Sequence, residues 1–511
     1  MVFKTVALGL IQNESPPNLP PGATPQAKNV MAREGVLEPR YRLAKVGSGS
    51  SLMDAVIGMG EYAAVGGTRY PYAISAKTFS YYSGSAWTHG DYATNGVNDP
   101  PSGENTVYLD STVFYDPVSD ENAVVWVNGT DQAFVGSVFT RGFSTLTNAP
   151  IAKAVAVFDS RVLFGNITSG GTQLVQRIQY SEKYQPSITT APTGGFDDLL
   201  DARGGIQRMM PDGDRVLVFF DHELWFGYPI DYPFNLAYRG LDRTIGTVSP
   251  WTVCQTPMGV FFLGDNYLPY LIPRGGGPQP VGLKTWKTIR DEIDSPSRAC
   301  AEYNPDTGRV LLVFATQGGT GRPAKGLELD LTTGTWVPQT FTPNLSRLAV
   351  GDVTSSAVTW GALVGAWNAQ TQTWSQLGGT SNKRAMYAGT STGTVAVFTS
   401  TATGDLGPAV LSEVMVVIPN EDPTRKMYVR EVRLDYQSNS ASSMTLRLSN
   451  DFGQTYQQEF GVALPIAPLS AQTVVFPGVE ATYPCIQFQH DQGHRFSIQR
   501  VTAMVAPTGR G

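Results

Sequence analysis

The chain has 511 residues and a mass of 55.1 kDa, more than one hydrophobic core usually carries, so several domains or one large modular β architecture are expected. Hydrophobic residues make up 41% and charged residues 16%, which excludes a disordered chain, and no apolar run approaches the roughly 18 residues of a membrane span. A net charge of -6 and a pI near 5.4 exclude a protein that grips nucleic acid by neutralising phosphates, while a passive conduit for DNA is compatible with them.

With 54 Gly, 35 Pro, 23 Phe and 22 Tyr, the composition favours short strands joined by tight turns, and an all-β fold is the expectation. Cys254, Cys300 and Cys485 lie far apart with no CxxC pair. They predict buried thiols in a protein assembled in a cytosol, not a zinc ribbon, a redox motif or a disulfide framework. Met1 to Gln12 holds one Lys and a six-residue apolar run, Val6 to Ile11, too short for a signal h-region and without a small-residue cleavage site.

Residues 1–45 read as an extended arm expected to lie along a surface, because Glu14 to Gly22 places four prolines where no helix continues. A strand pair is expected from Gln26 to Met31 and from Val36 to Arg40, around the turn Arg33-Glu34-Gly35.

Residues 46–400 carry short apolar runs separated by turn residues, with one helical insert, Lys284 to Ile293. Arg215 to Phe220, the turn Asp221-His222-Glu223 and Leu224 to Gly227 form the clearest hairpin. Others are Ala154 to Ile167, Gly259 to Ile272 and Ala301 to Phe314, the last around Asn304-Pro305-Asp306-Thr307-Gly308. A strand, a polar loop and a closing Trp recur at Tyr81 to Trp87, Leu329 to Trp336 and Trp367 to Trp374. Hairpins repeated at such intervals predict an irregular β-propeller of five to seven blades, with a stack of β-sandwiches as the alternative.

Thr401 to Pro408 reads as a linker, and residues 401–511 as a C-terminal β-sandwich-like domain. Its expected strands are Val414 to Ile418, Val429 to Tyr436, Met444 to Ser449, Thr473 to Phe476, Cys485 to His490 and Arg495 to Val505.

Candidate chemistry is sparse. Ser449-Asn450-Asp451-Phe452-Gly453-Gln454-Thr455-Tyr456 resembles the Asp-box of sialidases with Tyr in place of the final Trp, a motif whose role is to hold a hairpin. His490 and His494 have zincin spacing, but Asp491 stands where the general-base Glu belongs, so a solvated loop is favoured; His222 lies in a hairpin turn, and His89 completes the four. Gly389 to Gly393 fits G-x-S-x-G by letter, yet a strand follows where the nucleophile elbow needs a helix. Asp197, Asp198 and Asp201, and Asp291, Glu292 and Asp294, are acidic clusters suited to glycoside hydrolysis or calcium, with solvated loop acids the commoner case. Arg274 to Gly277 and Ser169 to Thr172 are Gly-rich without opening a helix, so neither reads as a phosphate cradle. No catalytic residue, metal ligand or cofactor site is assigned.

Pro20 to Val30 and Arg33 to Arg40 resemble the start of tail nozzle proteins of short-tailed phages, related to the packaged-DNA stabilisation family. So do Arg177 to Glu182, Gly204 to Ile206, Asp214 to Phe226 and Gly246 to Pro250. The resemblance implies a non-enzymatic virion protein, assembled in the host cytoplasm as a homo-hexameric ring of propellers. Such a ring binds an adaptor above, carries tailspikes, fibres or a needle, and conducts and retains double-stranded DNA without reading its sequence; the proline-rich arm lies across a neighbouring subunit. Rival expectations are a glycan-binding or glycan-hydrolysing propeller, which needs a carboxylate pair or an aromatic platform in one cleft, and a trimeric receptor-binding tail protein.

Overall fold

Turn chemistry sets the repeating unit. In the hairpin of Ile151–Phe158 and Arg161–Ser169, Asp159 and Ser160 both take positive φ, 48° and 59°, the geometry whose twist matches two antiparallel strands. Between Cys300–Asn304 and Arg309–Thr316, the Asn304 side chain accepts the Asp306 N–H at 3.1 Å and Gly308 supplies a φ of 72°.

The computed structural model describes residues 2–3, 9–10, 23–33, 36–47, 54–63, 69–76, 78–82, 86–91, 109–116, 121–137, 142–186, 194–230, 235–283, 285–353, 383–418, 420, 424–438, 440–491 and 496–510. The prolines of Glu14 to Gly22, the Trp367 to Trp374 repeat and His494 lie outside the described residues.

Among the described residues, seven sheets succeed one another as blades of a β-propeller. Blade 1 runs over residues 58–91, blade 2 over 110–145, blade 3 over 151–198, blade 4 over 206–242, blade 5 over 254–280 and blade 6 over 293–340. Blade 7 takes Leu345–Val353, Lys383–Thr390 and Val395–Thr399 from its own stretch. Its fourth, outermost strand is Arg42–Lys45 from the N-terminal arm, paired Phe398 to Leu43. The ring is therefore sealed by a strand from the far end of the chain, and the edge of Val395–Thr399 is covered.

Each pair of neighbouring blades buries its own wedge. Phe79 stacks on Trp126 at 5.5 Å between blades 1 and 2, and Phe219 meets Phe262 edge-on at 5.2 Å between blades 4 and 5. Trp336 of blade 6 is fully buried and donates its indole N–H to the Val281 carbonyl at 3.1 Å, tying that blade back to the segment after blade 5. The expected helical insert forms as Trp286–Glu292 between those two blades.

The C-terminal domain is a sandwich of two antiparallel sheets around one apolar core that includes Val429, Leu446, Phe488 and Ile498. One sheet is ordered Gln458–Leu464, Ser442–Ser449, Cys485–His490, Ser412–Val417 and Ala27–Lys28. The other centres on the long pair Arg425–Ser438 and Phe496–Arg510, and takes in Val30–Arg33 and Val36–Pro39. The described part of the arm thus does not lie along a surface. It gives strands to both sheets of the sandwich before closing the propeller.

Where the arm passes from one domain to the other, Arg40 is buried. Its Nε donates to Asn29 Oδ1 at 3.1 Å, Nη1 to the Tyr41 carbonyl at 2.7 Å, and Nη2 to the Thr340 carbonyl at 2.6 Å. The guanidinium forks onto the carboxylate of Asp405, which is also buried and accepts the Leu43 N–H at 3.2 Å. The Thr401 to Pro408 stretch, expected as a linker, is consequently anchored in the junction. Asn29, at a φ of 56°, exchanges side-chain hydrogen bonds with Thr340 and donates to the Leu411 carbonyl at 2.8 Å. We expect Arg40→Ala to strand the Asp405 carboxylate and cost about 3–5 kcal/mol, read as a lower denaturation midpoint.

Candidate functional site

The innermost strand of every blade faces the propeller axis, and there the chain leaves a cavity of about 220 Å³.

Its polar groups come from separate blades. Asp110, the first residue of blade 2, is buried and accepts the Ser111 N–H at 3.1 Å and the Val155 N–H of blade 3 at 3.0 Å. Burial raises its pKa, and Arg208 of blade 4, 4.0 Å away, opposes the rise. Arg347 of blade 7 is buried and donates from Nε to the Ile57 carbonyl at 2.7 Å and from Nη2 to the Leu109 carbonyl at 3.2 Å. Its guanidinium lies 3.6 Å from the ring centre of Trp251, which also carries Arg208 at 5.4 Å. Arg347 therefore pins blades 1, 2 and 7 to the turn that opens blade 5.

Glu302 of blade 6 lines the same cavity, with protein around it. Burial pushes its carboxyl up to about 7, against the Tyr303 N–H, Arg208 and Arg384, which favour the charged form. Beside it Cys300 is a buried free thiol pushed up to about 12 by burial, and Cys254 and Cys485 are likewise buried and unbridged.

The residues singled out from the sequence do not gather at the axis. Arg177 forks onto Asp198 at 2.7 Å and covers the Phe196 ring at 3.8 Å on the outer strand of blade 3. Burial, with Asp198 beside it, raises Asp197 to about 6, and Asp201 is exposed in the loop beyond. Asp291 meets Arg290 at 2.9 Å, Glu292 pairs with Lys325, and Asp294 sits in a two-residue strand. Among the described residues no three His, Cys, Asp or Glu side chains converge to hold a metal ion.

His222 is exposed and meets Asp265 at 3.1 Å, His89 meets Ser80 at 2.8 Å, and His490 is buried against Phe496. Gly389 to Gly393 turns between two strands of blade 7, so the serine is no nucleophile elbow. Gly170 and Gly171 form a hairpin turn, φ 57° and 80°, and Arg274 to Gly277 turns between the last strands of blade 5.

The Asp-box forms its hairpin in the sandwich. Ser449 Oγ accepts the Gly453 N–H at 2.8 Å, and Asp451 accepts the Thr455 N–H at 2.8 Å as well as the hydroxyls of Thr455 and Ser449. Those hydrogen bonds hold the Asp451 carboxyl down at about 2.

No family model and no curated protein matches the chain. Among solved structures it is similar to the exo-β-1,3-galactanase of Phanerochaete chrysosporium with galactose, at 11% identity over 90% of this chain and 100% of that one, with a TM-score of 0.27. It is similar to BBS1N in complex with ARL6DN at 9% identity over 72% and 98%, TM-score 0.38. A third is the extracellular domain of the hybrid two-component system BT4673 of B. thetaiotaomicron, at 10% identity over 89% of this chain and 61% of that chain, TM-score 0.37. Likeness at this level carries no functional argument, and the blade count rests on strand order.

Two outcomes follow from the carboxyls. Because the folded state raises Glu302 above its ordinary value, stability declines as pH rises between that value and about 7. Glu302→Gln should flatten that decline in a thermal-unfolding series and give the more stable protein at pH 8. Asp451 is depressed, so its contribution is present above the ordinary carboxylate range and fades as pH falls through about 2. Asp451→Asn should speed amide exchange across residues 449–456 at neutral pH, with variant and parent converging in strong acid.

Proposed function

We propose that the chain is a structural subunit of a short phage tail nozzle, six copies closing a ring beneath an adaptor. One observation carries the reading. The segments that resemble nozzle proteins supply framework: Asn29 and Arg40 build the domain junction, Asp214 to Phe226 the centre of blade 4, and Gly246 to Pro250 the turn into blade 5. In that turn a Cβ on Gly246 would sit 2.3 Å from the backbone of Asp221, so the approach of the two segments admits only glycine.

Other properties support it. Blades and sandwich share the arm's strands, which suits a block that bears load in a tube. The low charge leaves the wall little hold on phosphates, and the duplex travels through the lumen enclosed by the six copies. Phe196, Leu200, Leu283, Ile466 and Phe476 are more than half exposed, apolar surface for contacts with neighbouring subunits, tailspikes, fibres or a needle. Mass photometry of the full chain, alone and with its candidate adaptor, should give a sixfold ring; a monomer that ignores the adaptor sinks the proposal.

A glycan-hydrolysing reading has one observation in its favour: Asp110 and Glu302 face the same cavity, with Glu302 held as an acid near neutrality. Against it, Asp110 is caged by backbone donors, and the cavity falls below the roughly 300–1,000 Å³ of ligand pockets. Turnover of aryl glycosides that disappears in Glu302→Gln would favour this second reading.

A further inference from the structure

The Asp-box hairpin has a consequence for the sheet beneath it. With Asp451 clamping Thr455, the next residue, Tyr456, is carried over the outer face of the five-stranded sandwich sheet. There Gln487 hydrogen-bonds its hydroxyl and Arg447 lies 5.5 Å from its ring centre. Tyr456 keeps 37% exposure, so the ring is held from below and offered to solvent.

The surrounding positions are polar and in register. Glu459, Arg447 and Gln487 lie side by side across three strands, with Arg447 Nε donating to Glu459 at 2.8 Å. In the next row Gly461, Thr445, Gln489, Glu413 and Lys28 cross all five strands, and Gln489 donates to Glu413 at 2.6 Å. A Cβ on Gly461 would meet nothing within 4 Å, so that end of the row is open. Two residues before Lys28, Gln26 of the arm donates from Nε2 to the Phe452 carbonyl of the hairpin at 3.4 Å. Gln487 is only 4% exposed, and its Oε1 has no hydrogen-bond partner. That amide is thus sequestered beneath the Tyr456 ring, which it holds in place.

We propose that this face of the sandwich binds an uncharged oligosaccharide, with Tyr456 as the stacking platform, Gln487 holding that ring from beneath, and Arg447, Glu459 and Gln489 as partners for its hydroxyls. Charge sets the class. Lys28 and Arg447 balance Glu413 and Glu459, so the face attracts neither phosphates nor an ammonium-rich partner. An apolar protein surface has little to bury here beyond one ring. A sugar matches the rest: its C–H face lies on the aromatic ring, and its adjacent hydroxyls pair with planar amides and carboxylates.

The site is separate from the propeller axis and does not depend on the nozzle reading, whose readout is ring size. The test is isothermal titration and saturation-transfer NMR of the full chain with maltohexaose, cellohexaose, mannohexaose and xylohexaose. We expect at least one to bind, with affinity falling tenfold or more in Tyr456→Ala and recovering in Tyr456→Trp. Thr445→Lys, which fills the centre of the face without touching the hairpin, should abolish binding while leaving the circular-dichroism spectrum unchanged. Failure of all four sugars to bind, or binding that survives Thr445→Lys, overturns the proposal.

Discussion

The fork between Arg40 and Asp405 is the contact on which the two domains depend. A buried ion pair is costly unless every remaining donor and acceptor is met, and here the neighbours meet them: Asn29, the carbonyls of Tyr41 and Thr340, and the Leu43 N–H. Those partners belong to the arm and to blade 6, and Asp405 itself follows blade 7. One guanidinium thus fixes where the arm leaves the sandwich, where it enters the propeller, and how the chain returns between the two.

Around that junction the apolar cores are divided. Each blade interface has its own wedge, and the sandwich has its own core, with Val337 of blade 6 reaching into it. Division localises the damage of a single truncation, while the closing strand makes the ring as a whole cooperative. At the axis Arg347 adds a polar pin that draws on the backbone carbonyls of two other blades. The propeller is held from the rim by a strand and from the centre by an arginine.

How much of this the sequence disclosed depends on range. Hairpins were legible because their turns are local chemistry: Asn304 to Gly308 is a turn wherever it occurs, and Asp451 needs only Ser449 and Thr455 to clamp it. The Asp-box is legible as a hairpin for the same reason, although the Tyr456 platform it creates is not, since that needs Gln487 and Arg447 from other strands. The blade number stayed open between five and seven because the seventh blade borrows its last strand from the arm. Gln458–Leu464 does not stand out in the sequence because its alternation is weak, with Gly461 and Ala463 on the outward face. Thr401 to Pro408 looks like a linker by composition, and nothing near it signals that Asp405 will meet Arg40. The axis residues were invisible for the same reason: Asp110, Arg208, Glu302 and Arg347 converge only when the ring closes.

The strand that seals the ring also sets a clock. Leu43 pairs with Phe398, about 350 residues later in the chain. At roughly 5–20 residues per second of synthesis, the arm leaves the ribosome about 20–70 seconds before its partner exists. During that interval an extended segment with open backbone donors is on offer to any passing strand edge. A chain broken off before blade 7 never recovers it. Closure therefore reports that translation has passed blade 7, and a closed ring carries all seven blades by its own topology.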